Sequence, residues 1–280
     1  MRLNPPGDPG QPGVYGTQGI PASSNVPGGR EEGPVSWIDS TGNLWLFGGT
    51  GFDSSGTYGE LNDLWEFNPT TKTWTWVSGS STANAVGVYG NLGVAAPSDV
   101  PGARSGAVGW IDSSGSLWLF GGAGPNAAIL NDLWQFDPTA KTWTWVSGST
   151  TGNAAGVYGT LGTPATANVP GARYSAVSWI DGSGNFWLFG GNANGEYSYL
   201  NDLWQFSPMF KEWTWMSGSS TVNATGVYGS LGLPSSSNVP GARFTSVSWI
   251  DGSGNLWLFG GGNSSTQGTV DFNDLWRYQP

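Results

Sequence analysis

The chain has 280 residues and a formal net charge of −10, and it contains neither cysteine nor histidine. The lack of both residues excludes disulfide bonds, Cys or His sites for zinc or copper, and Ser-His-Asp or Cys-His catalytic groups. Nine scattered basic residues and no apolar run of ~20 residues predict neither nucleic-acid binding nor membrane insertion. With 18 Trp, 12 Phe and 9 Tyr, there is ample apolar material for a packed core.

The N-terminal segment, residues 1–12, is too rich in proline for a regular strand. It shows no basic start followed by an apolar core, so we expect no signal peptide. The Gly-Val-Tyr-Gly sequence that follows recurs three times, and the chain is therefore expected to begin inside a repeated loop. The four copies are Gly13–Gly16, Gly87–Gly90, Gly156–Gly159 and Gly226–Gly229.

The segment Arg173–Met216 shows the repeated unit most clearly. It contains four short runs rich in Trp, Phe, Val and Ile, each bounded by Gly, Pro, Asn or Asp, and no helical periodicity competes with them. This pattern predicts a four-stranded antiparallel meander. The runs are Ser175–Ile180, Phe186–Phe189, Leu203–Phe206 and Trp213–Met216.

The unit recurs four times, and its Trp-Ile-Asp tripeptide returns at intervals of 73, 69 and 70 residues. Repeated four-stranded units bury their apolar faces against one another around an axis. The sequence therefore predicts an all-β propeller that forms a single domain over residues 1–280, with residues 1–29 as a partial inter-blade loop and candidate closing strand. The approximate repeats are residues 30–77, 104–146, 173–216 and 243–280.

Each repeat has arginine at the start of strand 1, Gly-Gly at the end of strand 2, Asn-Asp-Leu-Trp at the entry to strand 3 and, except in the last repeat, tryptophan in strand 4. These motifs resemble kelch repeats, in particular the bacterial galactose-oxidase-like kelch proteins with long inter-blade loops. The resemblance covers nearly the whole chain and implies kelch-type blades and an extracellular or cell-surface location. It indicates little about activity, because kelch propellers have many functions.

The fourth repeat has three tryptophans instead of five and lacks the Trp-x-Trp run of strand 4. An unfinished blade leaves an unpaired edge that invites further pairing. Three explanations stay open at this point. Arg2-Leu3-Asn4 supplies the strand and closes the ring, two chains join into one eight-bladed ring, or the chain is a fragment of a longer propeller. The last two together are favoured over a self-closed four-bladed monomer.

The arginines that open strand 1 are candidate ligand-binding residues. The kelch resemblance implies this role, because in some kelch proteins such arginines point into the central pocket and bind acidic ligands. The favoured alternative is an ion pair with an aspartate of a neighbouring blade. The four residues are Arg30, Arg104, Arg173 and Arg243.

Two aspartates recur in each repeat, and we interpret both as structural rather than catalytic. The first begins the strand 1–2 turn, where its carboxylate can cap backbone N–H groups two residues ahead. Calcium held by these oxygens is a less favoured alternative, and no cofactor is predicted. The turn set is Asp39, Asp112, Asp181 and Asp251, and the strand 3 set is Asp63, Asp132, Asp202 and Asp274.

The 2–3 and 4–1 connections are long, and alternate connections of a meander emerge on the same face. The near-identical 4–1 loops indicate packing between blades, whereas the 2–3 loops diverge and suit specific binding. Tyrosines on both loop classes are further candidate ligand contacts. The 2–3 loops are Thr50–Leu61, Ala123–Leu130, Asn192–Leu200 and Gly262–Phe272, and the tyrosines are Tyr58, Tyr89, Tyr158, Tyr197 and Tyr228.

These features favour a non-enzymatic interaction propeller that recognises glycan or protein segments. The alternative is a structural protein whose ring is completed by chain–chain association, as a homo-oligomer, or a fragment of a larger propeller. A glycan-active enzyme with a carboxylate pair is disfavoured, because every acidic position that would serve recurs four times. The copper site of the galactose-oxidase family uses histidines and a tyrosine crosslinked to cysteine. This chain contains neither histidine nor cysteine.

Overall fold

The structure, a computed structural model, describes residues 10–195 and 197–280. These residues form β-strands and turns, with one short 3-10 helix at Pro125–Ala127. The predicted fold class, an all-β propeller of repeated antiparallel blades, is confirmed. The suggested closing strand Arg2-Leu3-Asn4 lies outside the described residues. No helix in the described ranges is both long and apolar enough to cross a membrane.

The chain divides into two compact units, and the single-domain assignment of residues 1–280 stays a prediction. The first unit is Met1–Ala128 with Asp132–Thr150, and the second is Ile129–Asn131 with Thr151–Pro280. The first unit holds blade 1, which contains β1 (Arg30–Glu32), β2 (Val35–Ile38), β3 (Leu44–Phe52), β4 (Tyr58–Asn68) and β5 (Thr73–Ser78). It also holds most of blade 2, which contains β6 (Val108–Ile111), β7 (Leu117–Gly124), β8 (Ala128–Asp137) and β9 (Thr142–Ser147).

The second unit holds blades 3 and 4. Blade 3 contains β10 (Arg173–Tyr174), β11 (Val177–Ile180), β12 (Phe186–Ala193), β13 (Tyr199–Ser207) and β14 (Glu212–Ser217). Blade 4 contains β15 (Val247–Ile250), β16 (Leu256–Phe259) and β19 (Leu275–Tyr278), with β17 (Gly262–Ser265) and β18 (Gly268–Asp271) as a separate hairpin. The described part of blade 4 therefore lacks an outer strand, as predicted.

The blades follow the predicted antiparallel meander, with three strands in the described part of blade 4, but strand 1 pairs with strand 2 in two separate stretches. In blade 3 the break falls at Ser175, which has a φ of 52° and lies between β10 and β11. A left-handed residue interrupts a ladder and lets it restart in a new register. Serine rarely adopts this conformation, so the sequence predicted one continuous run from Ser175 to Ile180.

The double glycines change the register between strands 2 and 3. In blade 1 the register shifts between Phe47 and Gly49, and a Cβ on Gly48 would lie 2.7 Å from the Arg104 carbonyl oxygen. Pairing then resumes, so the 2–3 connection in blade 1 is residues 53–57 rather than Thr50–Leu61. The predicted bounds were wrong because glycine and polar residues end the apolar pattern while backbone pairing continues.

A pair of glycine substitutions separates backbone strain from steric conflict. Gly93 has a φ of +76° and open space around its Cα, so Gly93→Ala should lower the unfolding free energy by about 1 kcal/mol. Gly79 has a φ of +85°, and a Cβ there would lie 2.0 Å from the Asn62 carbonyl oxygen. Gly79→Ala should therefore cost a further ~1–3 kcal/mol, measured by urea unfolding. Equal costs would contradict this packing of Gly79.

In the first unit, one face of blade 1 packs on the facing side of blade 2. Val35, Trp37 and Phe47 share a core with Leu119 and Trp143, and all five side chains are buried. In blade 2 all four apolar residues of strand 2, Leu117–Phe120, are buried, which is why the strand is apolar on both sides. In the second unit, blade 3 packs on blade 4 through the equivalent residues Val177, Trp179, Phe189, Leu256 and Leu258.

Candidate functional site

The predicted strand 1 arginines form buried ion pairs. In blade 2 both terminal guanidinium nitrogens of Arg104 bond the Asp132 carboxylate at 2.7 Å, and both side chains are fully buried. The favoured alternative, an ion pair with aspartate, is thus present, but Asp132 lies in the same blade rather than a neighbouring one. The aspartate is the Asn-Asp-Leu-Trp residue, which the sequence assigned to a structural role.

The predicted tyrosines of the 4–1 loops complete the same network. The Tyr89 hydroxyl donates to Asp132 Oδ2 at 2.6 Å, and the Trp134 indole N–H donates to the same oxygen at 2.7 Å. Arg104 also donates to the carbonyl oxygens of Gly102 and Gly121, both at 2.9 Å. Arg104 donates four hydrogen bonds and Asp132 accepts four, so this cluster ties the loop, strand 1 and strand 3 of one blade together.

The network repeats in every blade, so the structure brings together one predicted arginine and one tyrosine per repeat. Its members lie mostly inside the blades, and their ligand-binding role stays a prediction. The other three sets are Arg30 with Asp63 and Tyr15, Arg173 with Asp202 and Tyr158, and Arg243 with Asp274 and Tyr228.

The ion pair controls the protonation of this cluster. Burial alone would raise the pKa of Asp132, but the Arg104 charge and the hydrogen bonds from Arg104, Tyr89 and Trp134 lower it overall. Burial and the Asp132 charge raise the pKa of Tyr89 well above its usual value. The cluster therefore stays as an ionised aspartate and a neutral tyrosine over the physiological pH range, with no group poised to exchange a proton.

These shifts predict acid-sensitive stability. Asp53 and Asp274 have pKa values lowered to about 2, because hydrogen bonds offset the burial that would raise them. A carboxylate with a depressed folded-state pKa stabilises the fold above its unfolded pKa near 4. That stabilisation is lost as the pH falls from about 4 towards 2. We expect Tm to fall over this interval and Asp53→Asn to flatten the fall; an unchanged slope in the variant would contradict the role of Asp53.

The turn aspartates cap their turns as predicted. Asp39 Oδ1 accepts the Thr41 backbone N–H at 2.9 Å, and Asp39 Oδ2 accepts the Trp45 indole N–H at 2.9 Å. Sequence reasoning missed the indole hydrogen bond, although a tryptophan lies six residues after the aspartate in every repeat. The same pairs are Asp112–Trp118, Asp181–Trp187 and Asp251–Trp257.

This donor environment does not fit the calcium alternative. N–H groups point at each turn carboxylate, whereas a calcium ion needs a cluster of oxygen ligands. Within the described ranges, no three His, Cys, Asp or Glu side chains are grouped closely enough to hold a metal ion.

The two long connections emerge on the same side of a blade, as expected for a meander. Asn84 of the 4–1 loop accepts the Glu60 N–H through its side chain at 3.0 Å, and the Asn84 N–H donates to the Glu60 carbonyl at 2.7 Å. In blade 3, Asn223 makes the same two bonds to Tyr199, at 3.0 and 2.7 Å. In each blade, we call the surface formed by the 2–3 hairpin and the 4–1 loop bonded to it the long-loop surface.

Tyr58 and Tyr197 differ from the other predicted tyrosines, because both lie on 2–3 hairpins. Tyr58 is 48% exposed, its ring packs on Phe52 with centroids 5.1 Å apart, and its hydroxyl donates to Glu31. That hydrogen bond, with smaller contributions from burial and nearby carboxylates, raises the pKa of Tyr58 to about 12. Tyr197 is half-buried, and its carbonyl oxygen accepts the Asn223 side-chain N–H at 2.8 Å.

Sequence reasoning missed an asparagine at the end of the 4–1 loops. Asn168 is buried, and its side-chain nitrogen donates to the carbonyl oxygens of Thr163 and Trp213, both at 3.0 Å. Asn25 makes the equivalent bonds to Ile20 and Trp74, both at 3.1 Å. The only signal was an asparagine before Val-Pro-Gly in three of the four loops.

Comparison with known proteins places these blades in a family. No curated protein matches the chain. The solved structure of YjhT matches with a TM-score of 0.60 and 16% identity, over 91% of this chain and 70% of that chain, which indicates a shared fold. The family model for the KLHDC2/KLHL20/DRC7 Kelch-repeats domain matches residues 92–280. Because that match covers more than half of the sequence, the chain belongs to the Kelch-repeat domain family.

Proposed function

We propose that this protein is a non-enzymatic interaction module that binds protein or glycan segments through its long-loop surface. Kelch-repeat propellers are generally interaction scaffolds. The observation that carries the proposal is the contrast between repeated, internally bonded blades and divergent 2–3 hairpins. Such hairpins present different side chains on rigid strands, which suits selective binding.

Blade 1 offers the best-defined contact area. Tyr58 is exposed beside Phe52, and the carboxylates of Glu31, Glu32 and Glu60 raise its pKa together with burial. The area therefore combines an aromatic ring with negative charge. A basic protein segment is the ligand class that this chemistry favours, and a glycan stacked on the aromatic ring is the second class.

The proposal includes no catalytic residue and no cofactor, and it places the protein outside the cell or on its surface, as the galactose-oxidase-like resemblance implies. The buried Arg–Asp–Tyr clusters have their charges paired, which leaves them suited to support rather than to proton transfer. Turnover of a glycoside that is lost on mutating one Asp or Glu would contradict the non-enzymatic assignment.

A peptide panel and a glycan array test the proposal. The double variant Glu31→Gln/Tyr58→Ala should weaken binding of any hit at least about tenfold, because aromatic and charged anchors dominate interface energies. Met209→Ala is the matched control, since Met209 is 84% exposed but lies in the turn between β13 and β14. Absence of any binder, or equal effects of both variants, would contradict binding through blade 1.

Self-assembly is a second candidate function, and one face of blade 4 supports it. Val247 and Trp249 are 60% and 42% exposed, whereas the equivalent Val177 and Trp179 of blade 3 are 9% and 6% exposed. In blade 3 this face is covered by Leu256 and Leu258 of the next blade. The equivalent Leu44 of blade 1 is 40% exposed, so a second copy could supply the covering face.

Light scattering coupled to size exclusion tests this candidate. Head-to-tail association should give a mass at least twice 29.3 kDa, and Trp249→Arg should shift it to the monomer because a charge cannot be buried there unpaired. A monomer at every concentration would contradict assembly through this face.

A further inference from the structure

In blades 1 to 3 the outer strand lies between two partners. Strand 3 pairs with it on one side, as Phe206 does with Trp213 in blade 3. The preceding 4–1 loop bonds its other side, where Ala165 bridges Trp213 and the Gly162 N–H donates to the Trp215 carbonyl at 2.8 Å. The outer strand therefore occupies a slot with hydrogen-bonding groups on both sides.

Among the described residues, blade 4 has both sides of this slot and no strand between them. β19 is the edge of its three-stranded sheet. The equivalent loop, residues 230–238, keeps its own fold, because Val227 bridges Val239 and the Asn238 N–H donates to the Ser235 carbonyl at 3.1 Å. Because both sides of the slot are already ordered, binding of a strand costs less conformational entropy.

Asn238 marks where the entering backbone would bond. The equivalent Asn25 and Asn168 each donate to a local carbonyl and to the carbonyl of the first outer-strand tryptophan. Within the described residues, the Asn238 side-chain nitrogen donates to the local Leu233 carbonyl at 3.1 Å, and the tryptophan carbonyl has no equivalent in blade 4. Asn238 is thus positioned to donate a hydrogen bond to one backbone carbonyl of an entering strand.

An apolar cavity of about 70 Å³ lies beside β19, where the first tryptophan would enter. Its walls include Phe189, Leu203 and Leu258 together with Trp276 and Tyr278. In blade 2, Trp143 fills the equivalent space and packs on Phe47, Phe136 and Trp134 at centroid distances of 5.6, 5.0 and 6.4 Å. The counterparts at the blade 4 slot are Phe189 of blade 3 and Tyr278 and Trp276 of blade 4.

A second aromatic position lies on Tyr228. In the other three blades the equivalent tyrosine meets the second tryptophan of the outer strand edge to face, as Tyr15 meets Trp76 at 5.2 Å. Tyr15 is 5% exposed, whereas Tyr228 is 51% exposed. The exposed ring of Tyr228 is where a second aromatic side chain, two residues after the first, would pack.

We propose that this slot is a peptide-binding site that takes an extended segment with the pattern aromatic-x-aromatic from another polypeptide. The segment adds to the sheet antiparallel to β19, with its first aromatic side chain in the cavity opposite Tyr278. Its second aromatic side chain packs on Tyr228. Backbone pairing with β19 and Asn238 provides affinity, and the two aromatic positions provide selectivity, as in other cases of β-strand addition. This site is separate from the hairpin contacts proposed for blade 1.

A labelled peptide tests the site directly. The peptide Lys-Thr-Trp-Thr-Trp-Val-Ser-Gly, the sequence of residues 141–148, carries the required pattern. Fluorescence anisotropy of its fluorescein conjugate should show saturable binding to the 280-residue chain. The peptide with alanine at its first tryptophan should bind at least about tenfold more weakly. No binding, or equal binding of both peptides, would overturn the proposal.

Matched protein variants locate the binding. Asn238→Ala should weaken peptide binding several-fold, because the donor for the peptide carbonyl is lost. Asn25→Ala removes the equivalent group from blade 1, whose outer strand is already in place, and should leave peptide binding unchanged. Met209→Ala changes the exposed turn between β13 and β14 and should also leave the affinity unchanged. Equal peptide affinity of Asn238→Ala and the unmodified chain would overturn the slot.

Discussion

Replacing Asp132 with alanine is expected to lower the free energy of unfolding by about 3–5 kcal/mol. Arg104 would keep its charge in a fully buried position, with two of its strongest hydrogen bonds lost. The Tyr89 hydroxyl and the Trp134 indole would also lose their acceptor. Urea unfolding followed by tryptophan fluorescence measures the cost.

A double variant controls for the pair itself. Arg104→Leu/Asp132→Leu removes both charges together, so it should recover a substantial part of the loss, because a buried ion pair is costly to desolvate. Recovery should not be complete, because the carbonyl oxygens of Gly102 and Gly121 accept hydrogen bonds from Arg104 and would lose their donor. A double variant less stable than Asp132→Ala would show that the guanidinium has a packing role that the charge argument omits.

The sequence predicted the blades because it repeats. Four copies of Trp-Ile-Asp, Gly-Gly and Asn-Asp-Leu-Trp fixed the order of turns and apolar runs, and strand pairing in the structure follows that order. The lack of an outer strand in the described part of blade 4 was predicted from the same comparison, since the fourth repeat has no Trp-x-Trp run. Comparison of the repeats therefore predicted both the blade structure and the incomplete fourth blade.

The sequence did not reveal what the repeated polar residues contact. Arginine and aspartate lie 28 residues apart in the Arg104–Asp132 pair, so no local pattern connects them. Whether the arginine pairs with an aspartate of its own blade or of a neighbouring blade depends on how closely strand 1 approaches strand 3. The left-handed residue in strand 1 is also inconsistent in type, because it is glycine in blades 1 and 2 but Ser175 in blade 3 and Thr245 in blade 4.

The slot in blade 4 shows a different limit. The edge strand was predictable, but the role of Asn238 was not. In the complete blade 3 the equivalent Asn168 donates to a backbone carbonyl 45 residues later, and no local sequence pattern indicates such a bond. Only the comparison of complete and incomplete blades identifies the group that the slot would bind. The same repetition that simplifies the fold also supplies reference copies for the site.

The second large effect is expected for Trp143→Ala, at about 3–5 kcal/mol of unfolding free energy. Trp143 is 1% exposed and packs on Trp134 and Phe136 of its own blade and on Phe47 of blade 1. Its indole N–H also donates to Ser78 Oγ at 3.2 Å. Alanine would leave a cavity at the contact between the two blades, and urea unfolding would report its cost.

Trp74→Ala is the matched control, because Trp74 holds the same place in blade 1. It packs on Phe67 and Trp65 at 5.0 and 6.3 Å, nearly the distances that Trp143 has to Phe136 and Trp134. Trp74 is only half-buried and has no counterpart to the Phe47 contact among the described aromatic pairs. We therefore expect Trp74→Ala to cost less than Trp143→Ala. The difference between the two variants measures the inter-blade contact, which is the contact that an aromatic residue entering the blade 4 slot would make with Phe189.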